Sequence, residues 1–357
     1  MKVIQVMPNF ALAGAEIMCE NLVYGLQKQG VEVVVVSLFD YHSVITERLE
    51  RQGVKIIYLN KKLGVDFSII GKLRKIFKKE KPDVIHTHRY ATEYAIPAAI
   101  FAGVKKRVHT VHNVAQKENG RLGRFLNRVF FKVNHVVPVA LSSIVQDSIV
   151  KEYKIKKEKI SVVFNGIDLS KCLPKEEYAI TDNLLKILHI GRFMEQKNHQ
   201  GLIEAFSIFR KKYPNSILQL IGDGEKRKDI ENMVERMGLC DAVEFLGLQD
   251  NVYEYLHNAD IFTLPSLYEG IPITLIEAMG TGLPIVATHV GGIPDMLTDG
   301  ESAILTEVNS QLIANAFLQL SEDEEVRKRL GEKAKQQSVK WSVKIMAEEY
   351  LMLYQKI

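Results

Sequence analysis

Short apolar runs alternate with longer segments of mixed polarity along the whole chain. The apolar runs are rich in Val, Ile and Leu and end in polar or glycine-containing turns, which predicts buried strands. Many of the longer segments have apolar residues at helical spacing, which predicts helices with one buried face. Strands that alternate with helices indicate parallel sheets covered by helices, and therefore an α/β protein.

The pattern occurs twice. In the first half the predicted strands are Val3–Met7, Val31–Ser37, Lys55–Leu59, Val84–Thr87, Arg107–Val111 and His135–Pro138. The predicted helices there include Ala15–Gln29, Ile69–Glu80 and Gly120–Val133. In the second half the predicted strands are Lys186–Ile190, Ser216–Gly222, Val243–Leu246, Ile261–Leu264 and Pro284–Ala287. Helices are expected near 198–213, 225–238, 251–258 and 272–280. Two successive doubly wound, Rossmann-like domains follow, with ligands expected at the carboxyl ends of the strands and in the cleft between the domains.

A length of 357 residues exceeds what one ordinary core fills, so two domains are expected. The chain turns at Asn165-Gly166 and then becomes polar. We therefore place a first domain at 1–168 and a second at 169–340. The segment 341–357 has apolar residues at helical spacing and is expected to form a C-terminal helix.

Composition excludes several classes of protein. Hydrophobic residues make up 46% of the chain and charged residues 25%, as in ordinary globular proteins. No apolar run is long enough for a membrane helix, and the chain starts directly in a strand rather than in a signal peptide. The three cysteines have no paired spacing, which argues against a disulfide framework. These features predict a cytoplasmic protein, and the membrane contact predicted below would place it at the inner face of the plasma membrane.

The net charge of +4 is unevenly distributed. Residues 1–170 contain 27 Lys and Arg against 15 Asp and Glu, whereas residues 171–357 contain 20 against 28. Most such charges belong to solvated helix faces. A basic half nevertheless indicates an anionic partner surface.

The segment from Pro265 to Met279 carries the strongest functional signal. It follows the strand Ile261–Leu264, makes a tight turn and starts a helix at Pro272. Proline suits the first turn of a helix, and the amides of Ile273, Thr274 and Leu275 would then be free to bind an anion. Glu269 and Glu277 lie on either side of this helix start, where carboxylates suit sugar hydroxyls. The segment is therefore interpreted as a nucleotide-sugar site.

With its two glutamates, this segment resembles the E-x7-E motif of the retaining GT-B glycosyltransferases of family 4. Four further motifs agree with the family in order: Ala13-Gly14-Ala15-Glu16, Asn165-Gly166-Ile167-Asp168, Gly191-Arg192 through Lys197-Asn198, and Gly291-Gly292-Ile293-Pro294. The resemblance implies two Rossmann-like domains facing a cleft, with the C-terminal helix packed back on the first. The chain as a whole also resembles bacterial enzymes that build capsular or extracellular polysaccharide on a lipid carrier from a UDP-sugar.

By this resemblance, Glu269 contacts the transferred sugar and Glu277 holds the ribose. Arg192 and Lys197 bind the diphosphate, where Arg offers a planar fork and Lys a point charge. Gly14 lets the loop after the first strand approach the donor. His112, at the end of a predicted strand, contacts the donor sugar or phosphate. The remaining donor-binding residues lie at the helix start and near the nucleobase: Gly222, Leu248, Val252, Ile273, Thr274 and Leu275.

A metal ion is not expected. The chain has no D-x-D motif, and Asp223-Gly224-Glu225 is the nearest approach to one. His86 and His88 share one strand face, but no third ligand is evident. We expect no cofactor and no nucleic-acid partner, with the positive charge of Arg192 and Lys197 taking the place of a cation.

Three functions remain open at this point. The first is a retaining transferase that moves a sugar from a nucleotide sugar to a hydroxyl of a glycan or lipid-linked acceptor. The second is a non-catalytic nucleotide-sugar sensor or scaffold, and the third is a UDP-sugar 2-epimerase of the same architecture. No matched residue fills the place of a nucleophile, so the resemblance favours front-face substitution.

A contact with an anionic membrane is also predicted. Arg121, Arg124, Arg128 and Lys132 recur at three- and four-residue steps and would form a basic stripe on one helix. Apolar residues fill much of the remaining surface of that helix: Leu122, Phe125, Leu126, Val129, Phe130 and Val133. An ordinary helix with its apolar face in the core would show a similar pattern.

Overall fold

The computed structural model describes residues 1–357 and divides them into two compact units. The first unit contains Met1–Ile167 and Ser342–Ile357, and the second contains Asp168–Trp341. Each unit has its own parallel sheet and its own hydrophobic core.

The sheet of the first unit has seven parallel strands in the order β3-β2-β1-β4-β5-β6-β7. The strands are β1 (Lys2–Met7), β2 (Glu32–Ser37), β3 (Lys55–Tyr58), β4 (Val84–His88), β5 (Lys106–Val111), β6 (Val137–Ala140) and β7 (Ser161–Val162). Valine and isoleucine make up most of β1 and β2, which are buried except at Lys2 and Glu32, as expected for a sheet covered on both faces.

Seven helices belong to the connections of this sheet. They are α1 (Gly14–Lys28), α2 (Val44–Arg51), α3 (Ser68–Glu80), α4 (Thr92–Ala102), α5 (Ala115–Glu118), α6 (Arg121–Lys132) and α7 (Ser143–Tyr153). Ile69, Leu73 and Phe77 of α3 lie in the same core cluster as Ile85 of β4. None of the helices of the chain combines the length and apolar composition that a membrane span requires.

The sheet of the second unit has six parallel strands in the order β10-β9-β8-β11-β12-β13. They are β8 (Leu185–Ile190), β9 (Ser216–Ile221), β10 (Val243–Gly247), β11 (Ile261–Leu264), β12 (Ile285–Thr288) and β13 (Ile304–Thr306). Its helices are α8 (His199–Arg210), α9 (Arg227–Arg236), α10 (Tyr253–Asn258), α11 (Ile273–Thr281), α12 (Ile293–Met296), α13 (Ser310–Glu322) and α14 (Glu324–Ser338).

The last helix, α15 (Val343–Lys356), belongs to the first unit and packs against α1. Its inward residues Met346, Tyr350 and Tyr354 are buried, and the hydroxyl groups of both tyrosines form hydrogen bonds with side chains of the sheet. Residues 240 and 268 positions apart in sequence therefore share one core.

Both sheets have a topological switch point, where the strand order reverses. It lies between β1 and β4 in the first unit and between β8 and β11 in the second. The loops that leave two such strands run to opposite sides of the sheet and open a crevice at the carboxyl ends, where α/β proteins bind ligands. The functional residues predicted from the sequence follow these strands or their neighbours.

Two local predictions were wrong by a few residues. The strand expected at His135–Pro138 is β6, which begins at Val137, because His135 adopts a left-handed backbone conformation with φ of 52°. Pro272 precedes the first turn of α11 rather than forming it, with extended backbone angles of −74° and 124°.

Candidate active site

Glu269 lies in the loop between β11 and α11 at the centre of a polar cluster. Its Oε1 accepts hydrogen bonds from Lys197 Nζ at 2.7 Å and from Ser266 Oγ at 2.6 Å. Gln196 Nε2 donates to Oε2 at 3.3 Å. Lys197 follows β8 and Glu269 follows β11, so the switch point of the second sheet explains why they meet. The result is a nearly buried carboxylate held in a fixed position beside a cation.

The glycine pair Gly291-Gly292 supports the backbone of Glu269 from the next loop. Gly291 has φ of 58°, and a Cβ atom there would lie 1.9 Å from the carbonyl oxygen of Glu269. The Gly292 amide donates to that same oxygen at 3.2 Å. Glycine is therefore required at residue 291 both by its backbone angle and by the close approach of the Glu269 loop.

The start of α11 supplies free amides at the same edge. The Leu275 amide donates to the Pro272 carbonyl at 3.1 Å. The prediction that this amide would be free was therefore wrong. The amides of Ile273 and Thr274 precede it in the first turn of the helix. Both lie where a helix start favours an anion, because the unpaired N–H groups carry the positive end of the helix dipole.

Glu277 lies one turn into α11 and is buried. Burial raises the pKa of its carboxyl to about 7, although a hydrogen bond from Tyr253 and the nearby charge of Lys171 oppose the shift. The Tyr253 hydroxyl donates to Oε1 at 3.4 Å. Glu277 is therefore a buried hydrogen-bonding group with spare acceptor capacity.

Arg192 and Lys197 occupy the loop after β8. The side chain of Arg192 is exposed and forms no hydrogen bond or ion pair within the protein, whereas Lys197 is mostly buried and paired with Glu269. Gly222, at the end of β9, borders this loop with φ of 138°, and a Cβ atom there would lie 2.1 Å from the Gly191 carbonyl oxygen. Gly222 thus lets two neighbouring loops approach closely.

The predicted nucleobase region lies at the end of β10. Leu248 is 64% exposed, and Val252, which precedes α10, is partly buried. The Gly222 amide donates to the Gly247 carbonyl at 2.8 Å, so the loops after β9 and β10 are held together.

His112 marks the carboxyl end of β5 in the first unit. Its backbone amide donates to Glu118 Oε1 at 3.0 Å, and its ring Nε2 lies 2.9 Å from His88 Nδ1. Burial, with smaller contributions from His109 and Arg89, lowers the pKa of His112 to about 3. His112 is therefore a neutral imidazole in this environment.

The loop after β1 leads into Gly14, the first residue of α1. A Cβ atom at Gly14 would meet no atom within 4 Å, so the backbone here is open to a ligand. Two residues on, the buried carboxylate of Glu16 pairs with Arg89 at 2.6 Å, across the switch point between β1 and β4. Glu16 thereby fixes a cation at the edge that also carries His112.

No group of three or more His, Cys, Asp and Glu side chains is arranged to hold a metal ion. Asp223 belongs to Asp223-Gly224-Glu225, the segment closest to a D-x-D motif. Its carboxylate accepts a hydrogen bond from the Gly224 amide at 2.8 Å and lies 3.9 Å from Arg227. It thus serves to shape the turn after β9.

Sequence analysis missed several residues of these clusters. Gln196, Ser266 and Tyr253 hold the two glutamates, and Arg89 and Glu118 border His112. Ser266 lies three residues before Glu269, and this proximity in sequence was the one available signal. The others act across strands or helices whose adjacency the sequence did not reveal.

Comparisons with known proteins identify the family. Residues 12–171 match the model described as Glycosyltransferase Family 4, and residues 174–337 match that of Glycosyl transferases group 1. The N-acetyl-alpha-D-glucosaminyl L-malate synthase of Bacillus anthracis is 31% identical over 288 residues, 76% of this chain and 74% of that relative. This chain is a family 4 glycosyltransferase.

A second relative is the UDP-Gal:alpha-D-GlcNAc-diphosphoundecaprenol alpha-1,3-galactosyltransferase of Escherichia coli. It is 30% identical over 275 residues, which are 72% of this glycosyltransferase and 71% of that relative. Among solved structures, HepE of Anabaena in complex with UDP and glucose superposes with a TM-score of 0.85 at 18% identity, over the whole of both chains. Sucrose-phosphate synthase from Thermosynechococcus elongatus has a TM-score of 0.78 at 18% identity, covering 100% of this chain and 99% of that one. These structures establish the GT-B fold.

Proposed function

We propose that this glycosyltransferase transfers a sugar from a UDP-sugar to a hydroxyl of a glycan or lipid-linked acceptor, with retention of anomeric configuration and without a metal ion. The product would belong to a surface polysaccharide such as a capsule or an exopolysaccharide. The observation that carries the proposal is the cluster at the switch point of the second sheet. There Glu269, Lys197 and the start of α11 combine a fixed carboxylate, a cation and free amides.

The donor site follows from the charges at this edge. Arg192 and Lys197 would bind the diphosphate and stabilise the negative charge that develops on it as the bond to the sugar breaks. Glu277 would accept hydrogen bonds from the ribose. The galactosyltransferase relative is named for a UDP-sugar and HepE was solved in complex with UDP, which supports UDP as the nucleotide.

Glu269 would act on the transferred sugar. Its carboxylate is held by three donors, so it is oriented before the substrate arrives. Retention by double displacement requires a nucleophile beneath the anomeric carbon. Because Glu269 is already committed to Lys197 and Ser266, the proposal assigns it to sugar hydroxyls. The leaving phosphate would then take the acceptor proton in a front-face substitution.

The name of the Escherichia coli relative includes a diphosphoundecaprenol-linked sugar, which supports a lipid-linked acceptor. The Bacillus relative is named for L-malate, so a small hydroxy acid is the second candidate acceptor. A sensor without turnover and a UDP-sugar 2-epimerase are disfavoured. The charged residues of a working site are all present, and no acid–base pair for epimerisation is evident among the matched motifs.

The exposed face of α6 supports peripheral membrane contact. Arg121, Arg128 and Lys132 are exposed and unpaired, and Leu122 and Phe125 beside them are 66% and 62% exposed. The predicted basic stripe is corrected at Arg124, which pairs with Glu152 at 2.9 Å and is partly buried. Phe130, by contrast, lies in the core. A face that mixes exposed cations with exposed apolar side chains suits an anionic leaflet.

A thermal-shift screen tests the donor assignment. A ligand at about 100 times its dissociation constant adds about 2.7 kcal/mol of stability, so a UDP-sugar should raise the melting temperature more than an ADP-sugar or GDP-sugar at equal concentration. The screen and an assay of turnover are then carried out in EDTA. Both the rise in melting temperature and the turnover should persist there. Turnover that is abolished by EDTA and restored by a divalent cation would contradict the metal-free mechanism.

Liposome co-sedimentation tests the membrane contact. Replacing Arg121 and Arg128 with Ser should weaken binding to anionic vesicles by roughly 30-fold, at about 1 kcal/mol for each charge. The matched control replaces Lys328 and Lys333, two exposed lysines of the second unit, and should bind like the parent. Equal binding of the parent to neutral and anionic vesicles would refute the contact.

A further inference from the structure

A chain of hydrogen-bonded side chains runs from His112 into the core of the first unit. His112 Nε2 lies 2.9 Å from His88 Nδ1, and His88 Nε2 lies 2.8 Å from Gln5 Oε1. Gln5 Nε2 lies 3.4 Å from the Tyr354 hydroxyl, which is 2.6 Å from His86 Nδ1. All of these side chains except His112 are fully buried.

The side-chain amide of Gln5 gives the chain a direction. Its Nε2 faces the Tyr354 hydroxyl at 3.4 Å, and its Oε1 faces His88 Nε2 at 2.8 Å. Because an amide nitrogen can only donate, the Tyr354 hydroxyl accepts from Gln5 and uses its single proton toward His86 Nδ1. The carbonyl Oε1 of Gln5 is left as the acceptor that faces His88.

This orientation determines the protons on both histidines. Gln5 Oε1 can only accept, so His88 carries its proton on Nε2 and leaves Nδ1 as an acceptor. His112 must then donate from Nε2 to His88, which leaves its own Nδ1 unprotonated. Burial lowers the pKa of both imidazoles, so each is neutral and has only one ring proton.

The far end of the chain is also satisfied. His86 Nε2 donates to Thr110 Oγ1 at 2.7 Å, and Thr110 Oγ1 lies 2.7 Å from the Tyr350 hydroxyl. Both ring nitrogens of His86 and of His88 are thus occupied within the protein. His112 Nδ1 has no partner, and the His112 side chain is only partly buried. Among the ring nitrogens of His86, His88 and His112, Nδ1 of His112 is therefore the one that a ligand could reach.

We propose that Gln5 and His88 are positioning residues that fix His112 in the tautomer with an unprotonated Nδ1, so that His112 accepts a hydrogen bond from a hydroxyl of a sugar substrate. The role in catalysis rests on the proposed glycosyltransferase function, but the tautomer itself does not. A lone His112 in water would populate both tautomers, and the molecules protonated on Nδ1 would then offer a donor where an acceptor is needed.

Nitrogen-15 NMR of histidine-labelled protein tests the tautomer without any turnover. The His112 signals are assigned by their loss in His112→Gln. In the parent, Nε2 should have the shift of a protonated nitrogen and Nδ1 that of an unprotonated one. In Gln5→Met, which removes the fixed acceptor, both His112 shifts should move toward intermediate values.

Two further variants serve as a control and as a substitute for Gln5→Met. Thr87→Val removes a buried hydroxyl from β4, but Thr87 bonds to His109 on the opposite face of the sheet, so the His112 shifts should not change. If Gln5→Met does not fold, Tyr354→Phe serves instead. It removes the hydroxyl that orients the Gln5 amide and should also mix the His112 tautomers. A protonated Nδ1 in the parent, or unchanged shifts in the folded Gln5→Met or Tyr354→Phe variant, would overturn the proposal.

Kinetics then connect the tautomer to catalysis. Gln5→Met should lower kcat/KM by about tenfold with unchanged affinity for free UDP, and Thr87→Val should leave kcat/KM unchanged. A fixed tautomer in the parent with unchanged kcat/KM in Gln5→Met would refute the catalytic role. If the parent turns over no nucleotide sugar at all, the proposed function fails, while the NMR result still decides the tautomer.

Discussion

The carboxyl edges of the two sheets combine different groups on the same topology. Each has a switch point, with functional loops following the two strands that flank it or their neighbours. At the second edge, charged groups meet: Lys197 pairs with Glu269, and Arg192 is free. The first edge also has an ion pair, between Glu16 and Arg89, but His88 and His112 near it are kept neutral by burial and joined by directional hydrogen bonds.

This difference suggests a division of labour between the units. Charges hold an anion strongly but select little between neutral hydroxyls, because Coulomb attraction has no preferred angle. A fixed array of neutral donors and acceptors does the reverse, since each hydrogen bond has a required direction. Under the proposed function, the diphosphate therefore suits Arg192 and Lys197 of the second edge, and the neutral histidines of the first edge suit a hydroxyl of a sugar substrate.

The largest effect is expected from removing the central charge of the second edge. Glu269→Ala should lower turnover by about 10²–10³-fold, the range for a preorganised group that acts in the transition state. Affinity for free UDP should remain nearly parental, as measured by calorimetry, because Glu269 is assigned to the sugar. Parental turnover in this variant would remove Glu269 from the site.

Glu277→Ala should instead weaken nucleotide binding. The loss of a charge-assisted hydrogen bond to the ribose is worth about 1.5–3 kcal/mol, or roughly 10- to 150-fold in the dissociation constant of UDP. Calorimetric titration with UDP measures it, with Glu254→Ala of α10 as an exposed control in the same unit. UDP that binds the variant as tightly as the parent would contradict the ribose assignment.

The support of Glu269 by the glycine loop can be separated from backbone strain. Gly291 and Gly300 both have left-handed angles, with φ of 58° and 71°, and each alanine substitution should cost about 1–2 kcal/mol for that reason. Only at Gly291 would the new Cβ also meet the Glu269 carbonyl. Urea unfolding should therefore show Gly291→Ala to be less stable than Gly300→Ala by about 1–3 kcal/mol. Equal stabilities would mean that the loop relaxes freely.

The smallest effect concerns Glu118, the carboxyl that accepts the His112 amide in the first unit. Part of its side chain is exposed, but Oε2 is buried and unpaired. Burial raises the pKa of Glu118 to about 8, above its ordinary value of 4.5. The folded protein thus binds a proton that the unfolded chain releases, so stability from this group is present below pH 4.5 and is lost as pH rises toward 8.

Between pH 7 and pH 8 this loss should amount to at most about 1 kcal/mol, and Glu118→Gln should remove it. Urea unfolding of parent and variant at both pH values measures the difference. A parent whose stability relative to Glu118→Gln rises with pH over this interval would show that the carboxyl is ionised and stabilised instead.

The sequence predicted the repeated architecture and the residues of the charged edge. Apolar runs bounded by turn residues marked the main strands, and parallel strands bring their carboxyl ends to one edge. Arg192, Lys197 and Glu269 could therefore be grouped before their strands were known to be neighbours. The ribose-binding role proposed for Glu277 comes from the match of the motif to family 4, because the fold alone does not reveal it.

The hydrogen-bonded histidines of the first edge could not be predicted in the same way. Gln5 and Tyr354 are 349 residues apart, and their meeting depends on α15 packing beneath the first sheet. His86 and His88 were correctly placed on one strand face, but their partners come from β1, β5 and α15. Likewise, helical spacing on α6 did not show that Arg124 turns toward Glu152 while Phe125 remains exposed.

The most direct test of the account is the release of UDP and free sugar from a UDP-sugar, with and without an added acceptor, in the presence of EDTA. The account predicts slow release of both by the parent, faster UDP formation when the acceptor is present, and neither above background for Glu269→Ala. A parent that binds UDP-sugar but releases no UDP under any of these conditions, or a Glu269→Ala variant that releases it at the parental rate, would contradict it.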